Sequence, residues 1–179
     1  MNRRILLASA VIPAAIFATG CFATDPISAA PALFDPLDSA KCSSPEDGDR
    51  LADQVLQLVN LERAAADLPP VVRHAALSKI ASDYACRMVE HRFFDHTDPA
   101  TGFGPGDRAF VGDYDFYAIG ENLAAGQQTP AEVMQVWMNS AAHRAIILDP
   151  KWSEVGIGVR TGGEYGTYWV QEFGAPAAD

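Results

Sequence analysis

Apolar residues Leu51, Val55, Leu58 and Val59 recur at spacings of three and four after the helix-opening stretch Ser44-Pro45-Glu46-Asp47. Leu68-Pro69-Pro70 stops the run, so the pattern predicts a helix over 47–66. A second stripe of Leu77, Ile80, Ala81, Tyr84 and Met88 predicts a helix reaching about His91, with Cys86 off the stripe and free to face the N-terminal segment. Thr129-Pro130-Ala131-Glu132 is a capping box with proline at the first helical position, and it opens a helix carrying Val133, Val136 and Trp137. Val155, Ile157 and Val159 alternate with small or polar residues, Thr161-Gly162-Gly163-Glu164 makes a turn, and Tyr165 to Phe173 supplies an antiparallel partner. Between Phe93 and Gly126 no period persists, which predicts irregular chain with a short helix near Asp107-Arg108-Ala109-Phe110. Loops of that length are usually functional. There is no internal repeat.

The ends of the chain read differently from its middle. Met1-Asn2-Arg3-Arg4 is a positively charged start, Ile5 to Thr19 is uncharged and apolar, and small residues follow. That is the layout of an export signal over residues 1–20, too short for a comfortable membrane span. Ala18-Thr19-Gly20-Cys21 resembles a bacterial lipobox, in which the cysteine is lipidated and becomes the new N-terminus; the alternative is cleavage near Ala23 with Cys21 discarded. The expected location is outside the cytoplasm, either secreted or held by that lipid anchor in the periplasm or at the cell surface. Residues 21–44 are rich in Ala, Pro, Asp and Ser without period, as suits a tether, and 45–179 form one domain. With Cys21 set aside, Cys42 and Cys86 are an even pair in an oxidising compartment, so one disulfide is expected, two separate thiols being the alternative.

In 179 residues, 49% apolar content supports one ordinary core. A formal charge of −10 repels phosphate backbones and anionic headgroups, which sets nucleic acid aside as a partner and leaves membrane contact to the N-terminal anchor.

Three segments carry candidate chemistry. His96 lies among packed aromatics just past a helix, in Phe93-Phe94-Asp95-His96. Glu121 stands between a glycine that frees the backbone and an amide, in Gly120-Glu121-Asn122-Leu123-Ala124. Ser140 and His143 are three residues apart in Trp137-Met138-Asn139-Ser140-Ala141-Ala142-His143-Arg144, on one face if the helix continues that far. Taken singly, each is more commonly a solvated or structural residue.

Together with Leu58-Val59-Asn60-Leu61-Glu62-Arg63, Val155-Gly156-Ile157-Gly158-Val159 and Tyr168-Trp169-Val170-Gln171-Glu172-Phe173-Gly174, these segments resemble the CAP superfamily in its shorter bacterial form, the fold of cysteine-rich secretory proteins, venom allergens and plant pathogenesis-related proteins. The resemblance implies an α+β fold, a three-layer α/β/α sandwich with a central, mainly antiparallel sheet. It also implies a cleft, onto which His96 and Glu121 carry over. The family's second glutamate falls on Ser140 and its second histidine on Tyr168, while bacterial members have a histidine where His143 stands. Ile146 replaces their usual asparagine. The implied cleft is therefore His96, Glu121, His143, Ser140, Tyr168 and Gln171.

Two imidazoles and a carboxylate are a donor set for zinc or another divalent metal, here His96, His143 and Glu121. The same groups could serve a peptidase or esterase, with His96 or His143 as general base and Ser140 or Glu121 orienting the imidazole. Most of the family has no established enzymatic activity, so the favoured reading is a binding module for a small apolar or lipid ligand or a cell-surface protein, the hydrolase being the alternative. Phe93, Phe94, Phe103, Phe110, Tyr114, Phe116 and Tyr117 would either line a groove or form the core under the loop.

Overall fold

The computed structural model describes residues 41–177. The export signal, Cys21 and the tether up to residue 40 lie outside the described residues.

The chain runs α1 (Gly48–Ala65), β1 (Val72–Arg73), α2 (Ala75–His91), α3 (Pro105–Val111), β2 (Phe116–Ala125), α4 (Pro130–Asn139), α5 (Ala141–Ile147), β3 (Glu154–Gly162) and β4 (Gly166–Pro176). The four strands form one sheet in the order β1-β3-β4-β2. β3–β4 and β4–β2 pair antiparallel, and the two-residue β1 adds to β3 in parallel. The result is the expected α+β three-layer sandwich, with β2 at one edge.

Strand alternation sorts the core into two layers. Val155, Ile157 and Val159 of β3, and Trp169 and Phe173 of β4, pack with Val55 and Val59 of α1, Val133 and Trp137 of α4 and Ile147 of α5. On the other face Leu123, Tyr168 and Val170 pack with Ala81, Tyr84, Ala85 and Met88 of α2. Leu77, Ile80, Ala109 and Tyr114 join α2 to α3. α2 lies almost on the backbone of β3, because Gly156 and Gly158 have no side chain there. A Cβ on Gly156 would stand 2.0 Å from the carbonyl carbon of Leu77, and one on Gly158 would stand 2.4 Å from that of Ala81.

Buried Arg63 fastens the first of these layers. Its guanidinium donates to the carbonyls of Pro69, Ile147, Asp149 and Trp152 at 2.9–3.2 Å, pinning the loop between α5 and β3 onto α1. Cys42 and Cys86 are bonded, with Cα atoms 5.2 Å apart. Ser43 also makes a bridge to Thr161 of β3. The expected tether therefore ends earlier than residue 44, because Cys42 and Ser43 already belong to the domain.

Three further expectations are corrected. The segment from Phe93 to Gly126 is not irregular throughout, since it contains α3 and the ten-residue β2. The helix opened by Thr129 stops at Asn139; Ser140 is extended (φ −92°, ψ 122°) and caps a new helix, so Ser140 and His143 do not share one continuous helical face. The aromatic-rich segment divides: Tyr114 is core, whereas Phe94, Phe103, Phe110 and Tyr117 are exposed.

Candidate functional site

The residues expected to form the cleft are arranged around β2, the edge strand, with His96 following α2 on one face of the sheet and His143 carried by α5 on the other. Asp95-His96 follows α2, whose end is marked by Arg92 in the left-handed conformation (φ 56°). The segment is held by its backbone, for the Tyr84 hydroxyl donates to the Asp95 carbonyl at 2.6 Å and Arg108 donates to the His96 carbonyl at 3.0 Å. Asp98, buried, accepts from the Ala100 and Thr101 amides and pairs with Arg87, so the turn beyond His96 is also tied down.

His96 Nδ1 lies 2.7 Å from Glu121 Oε1, with the His96 side chain 51% exposed and that of Glu121 1% exposed. The other carboxylate oxygen, Oε2, accepts from Arg108 at 2.5 Å. Arg108 stacks over the Tyr84 ring, 3.4 Å from its centroid, and its guanidinium also lies 3.6 Å from Glu172. One arginine thus holds both members of the His–Glu pair, one by its backbone and one by its carboxylate. The hydrogen bond to Glu121 raises the His96 pKa above the ordinary imidazole value, against an opposing effect of burial.

His143 comes from the opposite layer. Asn122, whose side chain points away from that of Glu121, donates through Nδ2 to the His143 carbonyl at 3.2 Å and to Gln171 Oε1 at 3.0 Å. Burial lowers the His143 pKa, and the charge of His96 lowers it further. Ser140 accepts from the His143 amide at 3.5 Å and serves as a helix cap.

The structure therefore brings His96 and Glu121 into contact, ties the backbone of His143 to β2 through Asn122 from the other layer, and puts Ser140 at the cap of the His143 helix. It does not bring Tyr168 and Gln171 to the same opening. Tyr168 is buried in the α2-side core with Phe94 and Tyr165 against its ring, and Gln171 is fully buried on the opposite face from Glu121. Arg108 and Glu172 are site residues that sequence reasoning missed. Glu172 carried a signal, being an acid on the same inward stripe of β4 as Tyr168 and Val170, where a lone carboxylate needs a partner.

As a metal centre, the set His96, His143 and Glu121 does not fit. Both oxygens of Glu121 are engaged, one beside a fixed guanidinium that opposes a cation there. Among the described residues no group of three or more His, Cys, Asp or Glu is arranged to hold a metal ion. Nor is any helix among them long and apolar enough to cross a membrane.

A family model described as "CAP: Cysteine-rich secretory protein family" matches residues 56–173. The chain is 36% identical over 131 residues to the uncharacterized protein YkwD of Bacillus subtilis (strain 168), a match covering 73% of this chain and 49% of that protein. It thus spans about half the length of that curated relative. Among solved structures it is similar to an extracellular protein containing a SCP domain from Bacillus anthracis str. Ames, with 28% identity, a TM-score of 0.63, and coverage of 71% of this chain and 41% of that one. An outer surface protein from Borrelia burgdorferi shares the fold with a TM-score of 0.68 at 21% identity, covering 75% of this chain and 98% of that one.

Proposed function

The chain belongs to the cysteine-rich secretory protein (CAP) family, and from that premise we propose that it is an exported binding module that engages a small apolar or lipid ligand, or a cell-surface partner, at the His96–Glu121 cleft. Export is supported by the signal-like residues 1–20 and by the extracellular relative in Bacillus anthracis. Lipid anchoring through Cys21 is part of the same reading and rests on the lipobox-like run before it.

The observation that carries recognition over turnover is the hold of Glu121 on the His96 ring. A carboxylate fixed by an arginine and bonded to Nδ1 orients the imidazole and favours its cationic form, which donates a hydrogen bond and cannot act as a general base. What remains at the opening is the half-exposed His96 ring, favoured in its cationic, donating form, which suits a hydrogen bond to an oxygen of a ligand. Extraction of the purified protein followed by mass spectrometry tests the lipid arm. Recovery of one lipid class from the native protein and its loss from His96→Ala supports the reading; equal recovery from both refutes the role of the cleft.

One observation favours the hydrolase reading as the alternative. The environments of His96 and His143 push their pKa values in opposite directions, which is how one site holds an acid and a base at the same pH. Turnover of ester or peptide libraries that disappears in both His96→Ala and His143→Ala would establish it in place of binding alone.

A further inference from the structure

α3 presents its apolar residues the wrong way round for a helix that only closes a core. Ala109 is buried, whereas Phe110 and Val111 are 79% and 64% exposed, and Phe103 on the approach to the helix is 41% exposed. Large apolar side chains left together in water mark a surface that meets something. At the foot of this surface, between α2 and α3, lies a cavity of about 410 Å³ whose apolar wall is Ile80, Tyr84, Phe103 and Val111. That volume is in the range of small-molecule sites. Phe110 belongs to the exposed surface but does not line the cavity.

The charges around the opening are already matched. Lys79 pairs with Asp83 at 2.5 Å, Arg87 with Asp98, and Arg108 with Glu121. Asp113, also on the lining, has no ion-pair partner among the described residues. Among the described residues each cation on the rim already faces a carboxylate, and Asp113 adds a further negative charge. A carboxylate ligand would have to shed water and compete with those carboxylates, whereas a neutral headgroup would not.

From these observations we infer that the α2–α3 cavity is a second ligand site, distinct from the His96–Glu121 cleft, and that it takes the hydrocarbon portion of a neutral amphiphile such as a long-chain alcohol or ester. The chain enters between Phe103 and Val111 and covers their exposed faces. This rests on the apolar-ligand reading above and adds a second place for such a ligand.

Titration of the purified protein with decanol and with decanoate at neutral pH, read by calorimetry and amide NMR, tests the assignment. Decanol is expected to bind, with shifts centred on Ile80, Tyr84, Phe103, Val111 and Gly112, and decanoate to bind at least about tenfold more weakly. Phe103→Ala and Val111→Asp, both changes at exposed positions, are expected to weaken decanol by about tenfold, while Phe110→Ser leaves it unchanged. No decanol binding, or decanoate binding as tightly as decanol, overturns the proposal. So does an equal loss in Phe110→Ser, which would show adsorption to the patch, or amide shifts centred on His96 and Glu121, which would put the ligand in the cleft. Failure of the cleft reading is seen separately, as lipid recovery from Val111→Asp that is the same with and without His96→Ala.

Discussion

Glu121 of β2 and Glu172 of β4 stand directly opposite each other in the sheet, both buried, with Arg108 the guanidinium that faces the two of them. One cation beside two carboxyls stabilises only one of them as an anion. Burial, and then the charge of Glu121, push the Glu172 carboxyl well above the usual carboxylate range.

Replacing Glu172 with Gln is therefore expected to stabilise the protein near neutral pH. Glu172 stays protonated in the fold but ionises in the unfolded chain above its ordinary value, so its contribution becomes unfavourable as pH rises from there. Urea unfolding should show a gain of about 1 kcal/mol or more for Glu172→Gln at neutral pH, shrinking towards zero near pH ~4. A loss at neutral pH would mean that Glu172 is ionised and needed by Arg108.

The two histidines should titrate on opposite sides of the ordinary imidazole value, His96 above and His143 below. The contribution of His96 to stability is present below about pH 6.5 and lost as pH rises through its raised value. That of His143 is present above about pH 6.5 and lost as pH falls through its lowered value. NMR titration of the ring protons checks both directions. In Glu121→Gln the pKa of His96 should fall, because the charge and the strongest hydrogen bond to its cationic form are gone, and that of His143 should move less.

Gly156→Ala should be among the most damaging single changes in the sheet. The added methyl meets the backbone of α2 rather than a side chain that can turn away, so α2 must lift from β3. A loss of roughly 3 kcal/mol by denaturant titration is expected, with Gly158→Ala close behind.

Arg63→Met keeps an unbranched apolar stem and removes every donor. Four carbonyls then lose their partner, three of them in the segment from Ile147 to Trp152. A loss of about 3–5 kcal/mol is expected, with Arg63→Lys recovering part of it. Hydrogen exchange should speed up first in that segment, which follows the helix carrying His143.

Reduction of the bond between Cys42 and Cys86, or Cys42→Ser, releases a loop with a sequence separation of 44. About 4 kcal/mol of stability should go with it. Thermal unfolding with and without reductant measures the difference, which should vanish in Cys42→Ser.

The parts of this fold that could be read from the chain are those in which a local rule and the tertiary arrangement agree. α1 shows its buried side as a stripe ending at Pro69, and α4 announces itself through Thr129 and Glu132, whose reciprocal hydrogen bonds are present as expected. The β3–β4 hairpin alternates because one face meets α1 and the glycines meet α2. β2 was not legible, for an edge strand that carries Gly120, Glu121 and Asn122 takes its burial from the cleft around it and shows no apolar alternation. The His96–Glu121 contact could be anticipated from motif order, through the family resemblance alone. Arg108 could not, because its role depends on a seven-residue helix folding back over β2, and nothing in the spacing of residues 105–111 states where that helix will lie. Tyr168 and Gln171 were assigned to the opening by position in a motif, and strand alternation sends one to each face.

The attachment of Cys42 to α2 and of Ser43 to β3 has a mechanical meaning. Tension on the chain N-terminal to Lys41 is delivered through the disulfide into α2 and through the Thr161 bridge into the turn end of β3. α1, although next along the sequence, is shielded from that load. A pull from that end therefore loads α2 and the β3–β4 hairpin before it can peel the first helix away.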